Sequence, residues 1–311
     1  MRLPSIHAPR RQGSALIAVF WMIAVMGMVL LAGAKALDAD ARSTRELRSR
    51  TYAMRLAQMG LEVGRHPVIQ MDDPLLHYQS PEGGGYDVRL TTEEARLNIN
   101  VLLTQGDQVL LPRLFAYWGM KPEFSTALLD ALRDWVDEDD KTRLNGAERR
   151  DYQKAGLDGL PYNRPFREVE EMLLVRGMEQ VNQARPDWRD WFTVLGDGRV
   201  DVNEARPELI ALIANVPRER LTPLLSLRAG KDGVLRTRDD NRLSSPVQVA
   251  QLLGVYQPQT VEILTRWLQF RGPIKRLEST GYFGDVRRRL VLIVQNQKAV
   301  WRGELPPHHG P

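Results

Sequence analysis

At 311 residues, with 43 basic against 39 acidic side chains, the chain is long enough for two modest domains and carries only a small positive excess. It contains no cysteine, which excludes disulfides and thiolate metal sites. Arg2, Arg10 and Arg11 precede the first apolar segment; without these three, 40 basic residues face 39 acidic ones, so no nucleic-acid partner is expected despite a pI of about 9.4.

Residues Met1–Gly13 are basic and free of acids, and Ser14–Ala34 then runs 21 residues without a charge before Lys35. At about 1.5 Å per residue that stretch spans roughly 31 Å, enough to cross the hydrocarbon core of a bilayer. Arginines on its N-terminal side predict that this end stays in the cytoplasm and that the bulk of the chain lies beyond the membrane. A cleaved secretory signal would be shorter, with a small-x-small site, and a buried core helix rarely follows a basic leader. Two readings remain. One is an ordinary signal anchor; the other is a prepilin-type leader, cut between Gly13 and Ser14 so that the apolar helix survives as a filament stem.

The helix is expected to continue to residue 66, because Lys35–Arg65 contains no proline and His66-Pro67 disfavours further helix. Tyr52, Leu56, Met59 and Val63 mark one face of it. A break near Gly33 is the alternative. Tyr86–Leu90 alternates as a strand after Pro81-Glu82-Gly83-Gly84-Gly85, and Ala95–Asn100 alternates again, which predicts a hairpin. From about Val109 to Gln269 the spacing becomes helical, as in Phe124, Leu128, Leu132 and Trp135. Strands return at Arg289–Gln295 and Ala299–Arg302.

Terminal strands need the earlier strands as sheet partners. The expected class is therefore α+β: a long N-terminal pilin-like helix, transmembrane in its first half, packed on a small antiparallel sheet, with a large all-α insertion. The divisions read as a leader 1–13, a membrane and stem helix 14–66, a first α+β part 67–105, an inserted helical domain 106–280, completing strands 281–305, and a disordered tail 306–311.

The acidic run Asp134–Asp140 leads to Glu148, and Asp137, Asp139 and Glu148 take the first, third and twelfth places of an EF-hand-like loop. Thr142 stands where that loop needs glycine, and Lys141 takes a ligand place, so it is not an EF-hand. The acids suit either calcium or a solvated helix end, where they oppose the dipole. Val200–Ile210 resembles the start of a helix-hairpin-helix element with Asn203 as N-cap, but the following turn, Asn215–Arg218, lacks Gly-x-Gly. No catalytic constellation is visible, and an enzyme is not expected. His66 and His77 have no evident partner.

In order along the chain, Ala95–Asn100, Leu132–Asp139, Gly146-Ala147-Glu148 with Tyr152, Tyr162–Phe166 and Val200–Ala205 resemble the K-type minor pseudopilins (GspK/XcpX) of type II secretion systems. That resemblance implies a non-enzymatic subunit at the tip of the pseudopilus, initiating its assembly and supporting protein export across the outer membrane. It implies the inner membrane of a Gram-negative cell with the bulk periplasmic. The implied partners are a prepilin peptidase, N-methylation after the cut, I-type and J-type minor pseudopilins, and other pseudopilins. It also implies calcium, with Asp137, Asp139 or Asp140, and Glu148 as candidate ligands. Counting Ser14 as mature residue one, Ala18 falls fifth, where most pilins carry a glutamate thought to meet a neighbour's N-terminal amine. K-type proteins are similar in lacking that acid. Ser14 departs from the larger apolar residue that usually begins a mature pilin. The competing reading is a signal-anchored periplasmic binding module, touching DNA through Val200–Arg220.

Overall fold

With no proline between Ser14 and Arg65, one helix can form, and α1 (Ser14–Arg65) runs unbroken for 52 residues in the computed structural model, which describes residues 14–305. The leader through Gly13 and the tail 306–311 lie outside the described residues. There is no break at Gly33. Among the described residues the apolar side chains of the first half of α1, such as Leu16 and Trp21, are exposed, and its length and composition suffice to cross a membrane.

The second half of α1 packs on a sheet through a face that only partly matches the expected one. Leu56 is buried and Val63 half-buried as expected, but Tyr52 and Met59 are exposed, and Ala53, Ala57, Gly60, Leu61 and Gly64 are buried beside Leu56. Small residues win because the helix lies close against the strands. A Cβ on Gly60 would strike Ser279 and Val88.

After α1 come β1 (His77–Gln79) and β2 (Gly84–Thr92). The expected second hairpin strand over Ala95–Asn100 does not form. Instead Glu93–Ala95 is a 3-10 turn, β3 (Leu97–Asn98) pairs in parallel with β4 (Phe192–Thr193), and α2 (Ile99–Thr104) follows at once. Asn98 caps α2 by accepting from the Val101 amide at 3.2 Å, which converts an alternating run into a helix start.

The helical block continues with α3 (Leu110–Tyr117), α4 (Pro122–Val136), α5 (Arg149–Lys154) and α6 (Met178–Ala184). Beyond β4 lie β5 (Val200–Asp201), α7 (Pro207–Ala214), α8 (Thr222–Arg228), α9 (Pro246–Leu253), α10 (Pro258–Trp267) and β6 (Leu268–Gln269), which pairs in parallel with β5. Asn203 is not the cap of α7; Arg206 holds that place. The Asn203 side chain instead donates to Leu243 O and Phe270 O and accepts from the Leu243 amide at 2.8 Å, tying three segments together. One continuous core runs through this block, with Trp135, Trp188, Trp191 and Phe115 fully buried.

The chain then returns through β7 (Lys275–Phe283), β8 (Val286–Gln295) and β9 (Lys298–Leu305). Five strands form one antiparallel sheet in the order β1-β2-β7-β8-β9, so the two strands flanking the helical block are neighbours, with Tyr86 opposite Gly281. β7 crosses residue 280, and β3 and α2 of the helical core precede residue 106. β8 is buried on both faces: Leu290 and Leu292 meet α1, while Val291 and Ile293 pack with Ile274 and Leu195 on the side of the helical block. His77 does have a partner, since Asp87 across the β1–β2 pair lies 3.0 Å from its Nδ1.

Candidate functional site

α4 buries Leu128, Leu132 and Trp135 on the expected face and ends at Val136, with Asp137 as its C-cap. The loop 137–148 then returns to α5. It is folded around Arg143, whose backbone amide donates to Asp134 Oδ2 at 3.2 Å and whose Nη1 donates to Asp134 Oδ1 at 2.6 Å and to Asp137 Oδ2. Asp134 is fully buried, and burial raises its carboxyl pKa against the opposing pull of Arg143. Gly146 lies so close to the Asp134 carboxylate that a Cβ there would overlap it. Arg176 pins the loop from outside through the carbonyls of Asn145, at 2.6 Å, and Gly146.

Glu148 ends the loop only 2% exposed; it forms a capping box with Asp151 at the start of α5, and no side-chain donor meets its carboxylate among the described residues. Burial pushes its pKa up to about 7, and Asp134, Asp137 and Asp140 push in the same direction. Asp137 Oδ1 and Asn163 Oδ1 are likewise buried acceptors without a donor. Asp140 Oδ1 accepts from Asn163 Nδ2 at 3.1 Å and stands 3.5 Å from Arg149. Asp139 is turned away: it is exposed, and its Oδ1 accepts from the Lys141 amide at 2.8 Å.

The fold therefore brings Asp137, Asp140 and Glu148 into one neighbourhood and leaves Asp139 outside it. Among the described residues no three acidic or histidine side chains already converge at metal-ligating distances, because Arg143 supplies the positive charge between Asp134 and Asp137. The donor chemistry nevertheless suits a hard cation: among the described residues Asp137 Oδ1 and Asn163 Oδ1 are buried acceptors without a donor, and the buried Glu148 carboxylate is met by backbone amides alone. Asp134 and Asn163 are the members that sequence reasoning missed. Asp134 could have been found, since it lies three residues after Ala131 on the buried side of α4. Asn163 could not, because it arrives from a separate loop.

Ser14 and Ala18 both lie on α1, and Ala18 is exposed on its apolar half, remote from the loop. At the helix-hairpin-helix-like turn, Asn215 takes a left-handed conformation in place of glycine, and two nearby arginines are engaged within the protein. Arg218 pairs with Glu208 at 3.0 Å and Arg113 donates to Leu212 O at 3.2 Å.

Comparison with known proteins places this geometry. Residues 95–187, from the end of β2 through the loop to α6, match the family described as type II secretion system (T2SS), protein K. The type II secretion system protein K of Klebsiella pneumoniae is 28% identical over 243 residues, covering 68% of this chain and 72% of that protein. Its counterpart in Pseudomonas aeruginosa is 26% identical over 259 residues, covering 74% and 75% respectively. A chain of the crystal structure of the GspK-GspI-GspJ complex from enterotoxigenic Escherichia coli superposes with a TM-score of 0.59 at 16% identity, covering 86% of this chain and 99% of that one; at such identity the match shows the fold.

Proposed function

We propose that this chain, which belongs to the K-type minor pseudopilins of type II secretion, is a non-enzymatic subunit that starts the pseudopilus and stays at its tip, supporting protein export across the outer membrane. One observation carries the reading: α1 has an uncharged first half that buries nothing of its own chain and a second half seated on the sheet. Such a helix needs an external apolar partner, first the bilayer and then neighbouring stems. Orientation follows from the leader arginines, which keep the N-terminus in the cytoplasm and place the sheet and helical block in the periplasm of a Gram-negative cell.

Ala18 supports the tip position. A stem without an acid near its start brings no charge that a neighbour's amine must neutralise, so it has no need of a subunit already above it. The helical block adds bulk beside the sheet, which would obstruct a further subunit stacked over it. The relative solved as a GspK-GspI-GspJ complex supports I-type and J-type minor pseudopilins as partners, meeting the exposed stem between Val19 and Val63.

A Gly13→Val substitution is expected to leave the leader attached, because a prepilin peptidase cuts after a glycine, and to abolish secretion with it. Intact mass of the membrane-extracted chain and export of a secreted substrate are measured together. Normal export by a chain that still begins at Met1 would sink the reading, and the signal-anchored binding module would replace it.

Calcium belongs to the same proposal. Glu148, Asp137 and Asp140, with the Asn163 amide oxygen, would hold the ion and Asp134 would support them, while Asp139 would have to turn inward to join. Bound there, the cation would neutralise the acids that now crowd Glu148 and fix the loop between α4 and α5. Thermal unfolding of the full chain should shift upward with millimolar calcium and return with chelator. In Asp137→Ala/Glu148→Ala the shift should vanish. An equal shift in that variant would place the ion elsewhere.

A further inference from the structure

Between the sheet and the helical block lies a second charged region, of opposite sign to the calcium loop. A cavity of about 250 Å³ is walled by six arginines, Arg89, Arg96, Arg206, Arg228, Arg236 and Arg289, drawn from both sides of the seam. Only three carboxylates share the wall, Asp190, Glu204 and Glu278, which leaves an excess of three positive charges.

Those carboxylates are heavily subscribed. Glu278 serves Arg276 at 2.6 Å, Arg289 at 2.9 Å and Arg96 at 3.4 Å. Glu204 stands 3.5 Å from Arg236 and 3.7 Å from Arg242. Arg228 is only 4% exposed; its Nη1 donates to Ala205 O at 2.9 Å, but its Nε has no acceptor among the described residues. The same holds for Arg236 Nε, while Arg96 Nη1 makes no hydrogen bond and has only Glu93 Oε1 at 3.6 Å. Two guanidinium donors on one cavity wall thus lack acceptors and a third is poorly met, and buried donors of that kind are costly unless an oxygen meets them. Arg89 has no carboxylate within 4.0 Å among the described residues, and burial followed by repulsion from Arg236 lowers its pKa.

We infer that this seam binds a small, multiply charged oxyanion of the phosphate class. A single carboxylate could neutralise one of the three excess charges. A tetrahedral oxyanion offers several acceptor oxygens at once, and guanidinium forks match it in geometry as well as charge. Its contacts would join the sheet, through Arg89 and Arg289, to the helical block, through Arg228 and Arg236, so binding would stiffen the angle between the two. This inference does not depend on the filament reading.

The test is thermal unfolding of the full chain in uncharged detergent, titrated with sodium phosphate against sodium chloride at equal ionic strength. Phosphate should raise the midpoint and saturate; chloride should not. Arg89→Ala/Arg236→Ala, measured from its own midpoint in chloride, should need at least tenfold more phosphate for the same shift. If that variant folds poorly, Arg89→Gln alone, at an exposed position, should weaken the response in the same sense. Equal responses to the two salts, or an unchanged phosphate response in the variants, would overturn the inference. A second arm tells a free anion from a lipid headgroup. Protection by vesicles of phosphatidylglycerol and phosphatidylcholine, absent with phosphatidylcholine alone and weakened by Arg89→Gln, assigns the oxyanion to lipid; saturating protection by phosphate in detergent assigns it to a free anion.

Discussion

Gly281→Val is expected to detach α1 from the sheet and to abolish secretion. Gly281 lies in β7 opposite Tyr86, directly beneath the helix, and a Cβ there would fall on the carbonyl of Ala53 and the amide of Ala57. Those are backbone atoms of a straight helix, so no rotamer change relieves the overlap. The helix must move outward, and Ala57 and Leu61, now at most 1% exposed, lose their contact with Leu277, Leu290 and Leu292. Overpacking of this kind costs roughly 1–3 kcal/mol and more where backbone is struck. Rapid proteolysis at the α1–sheet junction and loss of export are the readouts. Gly33→Ala is the control: nothing lies within 4 Å of that position, so the isolated chain should keep its wild-type midpoint. A Gly281→Val chain as protease-resistant as wild type would show that α1 does not dock as described.

Trp135→Ala should unfold the helical block well before the sheet, with a loss of about 3–5 kcal/mol. Trp135 is fully buried, stacked on Phe166 at 5.9 Å and met edge-on by Tyr152 at 5.9 Å and Tyr162 at 5.3 Å. These rings come from α4, α5 and the loop that carries Asn163, so the cluster frames the acidic loop from below. Removing its centre should also weaken any calcium response, because Glu148 and Asn163 are held by the same packing. Trp135→Phe should recover most of the stability. Separate unfolding transitions, followed by tryptophan fluorescence and by far-UV circular dichroism, would reveal the order. A midpoint within a degree or two of wild type would mean the block has another keystone.

The membrane helix, its end before Pro67 and the β8–β9 hairpin were legible because each depends on local chemistry: uncharged length, the residue before proline, and alternation around a polar turn. β7 was not legible. Arg276, Glu278 and Ser279 fell inside the expected helical insertion 106–280, but in the fold Glu278 is shared by buried arginines and Ser279 is covered by α1. Pairing with residues far away in sequence hides such a strand, since the charges that mask it are satisfied only once Glu93, Arg96 and Arg289 arrive. Ala95–Asn100 failed for the opposite reason: its alternation is real over two residues, and then the Asn98 cap starts a helix. Of the expected stem face, Leu56 and Val63 meet the sheet and Tyr52 and Met59 do not, because close packing on strands selects alanine and glycine, which an apolar-period reading passes over.

In the acidic loop, the sequence spacing pointed to Asp137, Asp139 and Glu148, with Asp140 added by the resemblance, but it could not show that Arg143 folds back between two aspartates or that Asp139 turns outward. Nothing in the spacing of charges indicates which carboxylate a loop will bury. Nor does the scattered arginine content along the chain reveal that six of these side chains meet at one seam. Both sites are products of tertiary contact, and each draws on segments more than a hundred residues apart or on loops without periodic pattern.

The adjacency of β2 and β7 also sets a timetable. β2 emerges early, yet its partner follows about 180 residues later, a separation that makes closure slow compared with folding of the locally connected helices between them. The helical block can therefore gain its core while the sheet is still one short pair, and the platform for α1 is completed only when β7 and β8 have paired. Until then the stem has no seat. A chain clipped between α10 and β7 would carry a finished helical block and an undocked stem, so the seating of α1 reports that the chain has been made through its last strands.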